Sequence, residues 1–164
     1  LAYSMGMTNA EIKSGVNNIK AVKQRLNVRK YHSTMLIDDT YNANPESMTA
    51  AFDLLKIITL HKTKIAVIGD MFELGKDEKI IHASLSKSIK KNKINRVFMV
   101  GNLMKSLAEK LKEEKIHSNY FSSREELKEV LSGWDFSDSV VLVKGSRGMK
   151  MEEFVKVIED DLRG

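Results

Sequence analysis

The sequence predicts an α/β domain: a Rossmann-like three-layer sandwich with a mostly parallel sheet flanked by helices. Three observations predict it. From residue 33 onward, short apolar runs alternate with helical patterns of about 10 to 16 residues, which is how βαβ units read. Three of the runs, IAVI, VFMV and VVLV, are apolar without alternation, as strands covered on both faces are. Glycine or a dense polar loop closes each of these runs.

The elements follow in order. Residues 8–16 open with Thr8 and Glu11 spaced as a capping box, followed by Ala10, Ile12 and Val16 at roughly helical spacing. A polar connector leads to a possible strand at 26–31, and STMLID (33–38) is a short apolar strand ending in acid. In 46–58, Met48, Ala51, Phe52, Leu55 and Ile58 share one helical face. KIAVIG (64–69) and RVFMVG (96–101) are strands closed by glycine, and 76–91 and 103–114 are amphipathic helices. IHSNYF (116–121) is a weak strand, and 123–133 is a helix with a serine cap and a terminal glycine. DSVVLVKGS (138–146) is a strong strand, and 148–162 is the last helix.

Composition narrows the chemistry. The 164 residues contain no cysteine, which excludes disulfides, thiol catalysis and cysteine-ligated metals. No apolar run approaches the roughly 18 residues of a membrane-spanning helix. The first residues carry no signal-peptide pattern. The chain opens without methionine inside a helix-like run, which predicts a piece of a longer protein. The net charge of +5 comes from lysines spread along helices without interleaved aromatics. That pattern favours a solvated surface or an anionic small ligand over nucleic acid. His32, His61 and His117 show no metal-ligand spacing, and His82 reads as a packed or capping residue. Met48, Met99, Met104 and Met151 read as core filler, and Trp134 as packing.

In a parallel sheet, ligands bind outside the carboxyl ends of the strands, which selects the loops 38–45, 69–75, 101–103 and 144–148. In the first, Asp39 accepts hydrogen bonds, Asn42 and Asn44 both donate and accept, and Tyr41 offers a ring with a polar tip. This set suits a base and a ribose; the same Asp and Asn residues also suit local Asx turns. Pro45 presets a turn at the start of the following helix. In the second, Asp70 and Glu73 suit a hydroxyl, a metal or an amine, or else the capping of the next helix. In the last, Lys144, Ser146 and Arg147 lie between Gly145 and Gly148 before a helix start, a basic loop suited to phosphate or carboxylate. Gly-x4-Gly-Lys-[Ser/Thr] occurs nowhere, so the chain has no P-loop. Gly-x-Gly-x-x-Gly follows no strand, which argues against a stand-alone nicotinamide-binding module.

IDDTYNANPESMTAAFDLL, IAVIGDMFELG and VLVKGSRGMKMEEFV, in this order and spacing, resemble the C-terminal domain of the Mur ligases. His82 also matches a recurring family position. The resemblance runs from about residue 10 to the end. It implies that residues 1–25 are the tail of a central ATPase domain or a connector, and that 26–164 are the C-terminal Rossmann-like domain. It further implies a cytoplasmic, ATP- and Mg2+-dependent enzyme of peptidoglycan synthesis. That enzyme joins D-Ala-D-Ala to UDP-MurNAc-tripeptide through an acyl phosphate. The metal ligands and P-loop would lie in the central domain, so the chain alone should not turn over. Carried over by position, Asp39, Tyr41, Asn42 and Asn44 would lie beside the adenosine, and Arg25 would be the hinge arginine that approaches the phosphates. Lys144, Ser146 and Arg147 would face the substrates as catalytic groups. One position departs: the family usually has glycine just before the hinge arginine, and here Gln24 stands there.

Overall fold

The computed structural model describes residues 24–58 and 63–164. The expected capping box at Thr8 and Glu11, and His61, lie outside the described residues. Six strands form one sheet: β1 Asn27–Tyr31, β2 Thr34–Asp39, β3 Thr63–Gly69, β4 Arg96–Val100, β5 Ser118–Phe121 and β6 Ser139–Lys144. Among the described residues, five helices accompany them: α1 Pro45–Ile57, α2 Glu78–Lys91, α3 Met104–Glu113, α4 Arg124–Ser132 and α5 Glu152–Arg163. The strand order is β1-β2-β6-β3-β4-β5, parallel except for β1, which pairs antiparallel with β2. The expected mostly parallel α/β sandwich is therefore what the chain forms.

Handedness explains which helix lies where. The path β2 to β3 to β4 to β5 moves in one direction across the sheet, so right-handed crossovers put α1, α2 and α3 on one face. The return from β5 to β6 reverses direction and puts α4, and then α5, on the other face. The core divides accordingly. Ile37, Ile68, Met99 and Leu142 pack with Phe52, Leu85 and Leu107 on one side. Leu36, Val67, Phe98 and Val143 pack with Leu127, Phe154 and Ile158 on the other. Met48, Met99, Met104 and Met151 are fully buried, as expected of core filler. Trp134 packs edge-on against Phe98 with ring centroids 4.8 Å apart.

Two helix starts differ from the sequence expectation. Residues Gly75–Asp77 form a 3-10 turn before α2. The last helix begins at Glu152 because Arg147–Met149 form another 3-10 turn and Lys150 is left-handed, with φ 48°. Among the described residues, no helix is long and apolar enough to cross a membrane.

Candidate functional site

β2 ends in two aspartates, and strand periodicity sends them to opposite faces. Ile37 packs on the α1 face, so Asp39, two residues on, also points that way. Asp38 points to the other face, where Arg29 approaches it at 3.4 Å, and its Oδ1 accepts from the Thr40 hydroxyl at 2.7 Å. Asn44 is the N-cap of α1: its side-chain oxygen accepts from Ser47 N–H at 2.8 Å. Ser47 Oγ accepts from Asn44 N–H at 3.1 Å, and Pro45 occupies the first helical turn, where no backbone donor is needed. Asp38 and Asn44 thus serve local turn chemistry. Tyr41 and Asn42 remain exposed at the crest of the loop.

β6 lies next to β2, and Lys144 is the register partner of Asp39. Both point to the α1 face. The Lys144 ammonium donates to Asp39 Oδ2 at 2.5 Å and to the Asn42 carbonyl at 2.9 Å. Lys144 is only 2% exposed, and Ser146 only 3%. The Ser146 hydroxyl accepts from Phe72 N–H at 2.8 Å and reaches the Ala43 carbonyl at 3.4 Å. Both residues, expected to face the substrates, are buried and hydrogen-bonded to neighbouring loops. Arg147 is the exposed cation of this loop. Its backbone N–H lies 3.4 Å from Asn42 Oδ1, and its guanidinium donates to the Gln24 side-chain oxygen at 2.5 Å.

The segment 24–26 closes the other side. Gln24 has φ 65°, the left-handed region that glycine enters at least cost. Its carbonyl accepts from Tyr41 N–H at 2.9 Å, and Leu26 N–H donates to Asp39 Oδ1 at 3.2 Å. The Arg25 guanidinium lies over the Tyr41 ring, 4.3 Å from its centroid. Arg25, Asp39, Tyr41, Asn42, Asn44 and Lys144 thereby line one cleft of about 460 Å³. Ser146 and Arg147 are not part of its wall. Ala43 and Ala51 also line it, as do Leu26, Ser47, Ala50 and Leu54, four residues that sequence reasoning did not single out. The last three recur three and four residues apart along α1. That stripe was readable once the loop before it was taken as a site.

The neighbouring loop 69–75 supports this site and does not line it. Asp70 caps α3, not the helix that follows it in sequence: its Oδ1 accepts from Leu103 and Met104 N–H at 3.1 and 2.9 Å. Burial pushes its carboxyl above the usual range, and those two N–H groups pull it back part of the way. Gly101 sits at φ 119°, where a Cβ would stand 2.4 Å from the Asp70 carboxylate. His82 is fully buried; its Nε2 accepts from Met71 N–H at 2.9 Å and its Nδ1 lies 2.6 Å from the Glu78 carbonyl. This is the neutral Nδ1–H tautomer holding the loop in place, the packed histidine that the sequence suggested. Among the described residues, no three His, Asp or Glu side chains converge as a metal site.

A family model described as "Mur ligase, glutamate ligase domain" matches residues 24–147. The chain is 35% identical over 161 residues to the UDP-N-acetylmuramoyl-tripeptide--D-alanyl-D-alanine ligase of Bacillus subtilis, covering 96% of this chain and 35% of that protein. It is 32% identical to the Escherichia coli enzyme of the same name, covering 98% of this chain and 35% of that one. It therefore spans about a third of the length of the curated relatives it matches. Among solved structures, a MurF from Acinetobacter baumannii superposes with a TM-score of 0.80 at 27% identity, over 97% of this chain and 35% of that one. The MurF ligase of Thermotoga maritima, solved with ADP, gives a TM-score of 0.75 at 26% identity, over 99% and 36%.

Proposed function

The chain belongs to the Mur ligase family, carrying its glutamate ligase domain, and from that premise we propose that it is the C-terminal domain of a ligase adding D-Ala-D-Ala to UDP-MurNAc-tripeptide. On this reading, residues 1–25 belong to the preceding ATPase domain or its connector, and 26–164 form the C-terminal domain. The γ-phosphoryl group of ATP passes to the terminal carboxylate of the tripeptide, giving ADP and an acyl phosphate. The dipeptide amine attacks that carbonyl and loses a proton. The tetrahedral intermediate then expels phosphate and leaves an amide. Consumption of ATP assigns the enzyme to the cytoplasm.

One observation carries this reading: a single cleft holds an aromatic ring, two asparagine amides, two cations and an apolar wall at the carboxyl ends of adjacent strands. Tyr41 supplies a face for a base, with Leu26 and Leu54 as its apolar surround. Asn42, and the amide nitrogen that Asn44 retains while its oxygen caps α1, read polar edges of base or sugar. Arg25 reaches the phosphates when it leaves the Tyr41 ring. Lys144 and Asp39 set the spacing between the two loops. Arg147 is the exposed cation that meets developing negative charge on the substrate side. The nucleotide named in the Thermotoga maritima relative's description supports ATP use here by similarity. Mg2+ does not fit the described residues: Asp39, the carboxylate on the cleft wall, is already neutralised by Lys144.

In the full-length enzyme, Tyr41→Ala should raise the KM for ATP about tenfold, since a stacked base is worth roughly 1–3 kcal/mol, and Asn42→Ala several-fold, since a lost hydrogen bond is worth about 0.5–1.5 kcal/mol. If both variants leave that KM unchanged, the cleft does not bind the nucleotide. The isolated chain, lacking a P-loop, should show no ligase turnover; measurable product from it alone would refute the division of labour.

A further inference from the structure

The sheet has an open edge far from the cleft. Among the described residues β5 pairs only with β4, and a groove of about 550 Å³ lies between it and α3. Ala108, Ile116 and Tyr120, half-buried against the core, are its apolar part. Three lysines, Lys105, Lys112 and Lys115, stand on its walls with one carboxylate, Glu109, while the Arg96 guanidinium at its end lies over the Trp134 ring at 5.3 Å and donates to Asn119 Oδ1 at 3.4 Å. Among the described residues, none of these three lysines lies within ion-pair distance of an acid, whereas Lys110, on the same helix but outside the groove, pairs with Glu113 at 3.0 Å.

Lysines beside an edge strand also deter strand pairing. That role needs charge only; it needs neither a concavity nor an apolar floor. Pockets of this size with an apolar lining and a few convergent polar groups are typical of small-ligand sites. Several ammonium groups around a low-dielectric wall raise the local concentration of anions. We propose that this groove is a second binding site, for an organic phosphate of metabolite size whose flat apolar body lies on Ala108, Ile116 and Tyr120. Lys112 and Lys115 hold its phosphate. Nothing in the ligase reading requires this site, because three strands separate β5 from the β2 edge of the cleft.

The test is a residue-resolved NMR titration of the chain with 1-naphthyl phosphate, beside a parallel titration with inorganic phosphate. The naphthyl ester should give saturable amide shifts at Ala108 and at 116–120, and inorganic phosphate should bind about tenfold or more weakly. The double variant Lys112→Gln/Lys115→Gln, changed only at exposed positions, should keep the fold and lose about tenfold or more in affinity for the ester. Absence of shifts in the groove overturns the proposal. So does equal binding of the two anions, which would mean that charge alone is sensed, or unchanged affinity in the double variant. Shifts confined to 41–44 would mean that only the first cleft takes the ester, and would also overturn it.

Discussion

Replacing Lys144 with methionine keeps the stem of the side chain and removes its ammonium. In the folded chain that ammonium donates to Asp39 at 2.5 Å and to the Asn42 carbonyl at 2.9 Å. The two side chains of the ion pair are 3% and 13% exposed. Removing one member of a buried pair costs about 3–5 kcal/mol, because the remaining charge is stranded in a poor solvent. Asp39 keeps the Leu26 N–H at 3.2 Å and some contact with water. The expected loss for Lys144→Met is therefore lower, about 2–3 kcal/mol. With a urea m-value of about 2 kcal/mol/M, the unfolding midpoint should fall by about 1 M or more. Asp39→Asn strands the ammonium in turn. The double variant, with no unpaired charge left, should lose about 1–2 kcal/mol less than the sum of the singles. A midpoint shift under about 0.2 M for Lys144→Met, or strictly additive single effects, would refute the claim that this pair braces the two loops.

Two further outcomes follow from the same geometry. Gly101→Ala puts a Cβ into the Asp70 carboxylate at a φ of 119° and should cost about 2–4 kcal/mol in urea unfolding, whereas Gly133→Ala, with open space around it, should stay within about 1 kcal/mol; similar losses in both would exclude the close approach as the reason. Asp70 and Glu159 should act in opposite directions with pH. Burial raises the folded Asp70 value, so the fold binds this proton more readily than the unfolded chain, and the contribution of Asp70 to stability falls as pH rises through that value. Burial also opposes ionisation of Glu159, but hydrogen bonds from Tyr31 and Arg29 outweigh it and depress its folded value. Its contribution is present above the unfolded value and is lost as pH falls through the folded one. Urea midpoints measured from pH 3 to 7 should therefore decline less steeply toward acid in Tyr31→Phe, and should lose part of their decline toward neutral pH in Asp70→Asn; profiles parallel to the parent would contradict both assignments.

Much of this architecture was legible in the sequence. The unbroken apolar runs around Ile65, Val97 and Val140 identified buried parallel strands, because a strand covered on both faces has no polar side to show. The spacing of Met48, Ala51, Phe52 and Leu55 marked the buried face of α1. The Asn-Pro pair marked its start. The last helix was read four residues too early: Met151 packs against the close approach of Gly69 and Gly145, and the chain reaches that position through a tight turn and a left-handed Lys150. No local spacing encodes that constraint.

The site divides along the same line. Sequence identified the loops, since a parallel sheet presents its functional loops at the carboxyl ends of its strands whatever the order of those strands. It placed the residues but not their partners. Asp70 and Glu73 suited a ligand or the capping of the next helix, yet Asp70 caps α3, because β3 and β4 are neighbours and their ends meet. Lys144 meets Asp39 because β6 inserts between β2 and β3 and sets these two residues in register, a pairing that no local spacing shows. Capping, periodicity and turn chemistry act within about four residues of chain, so the sequence by itself determines the elements and the loops between them. Which charge meets which across 105 residues depends on strand order and register, and these are decided only when the whole sheet closes over its two cores.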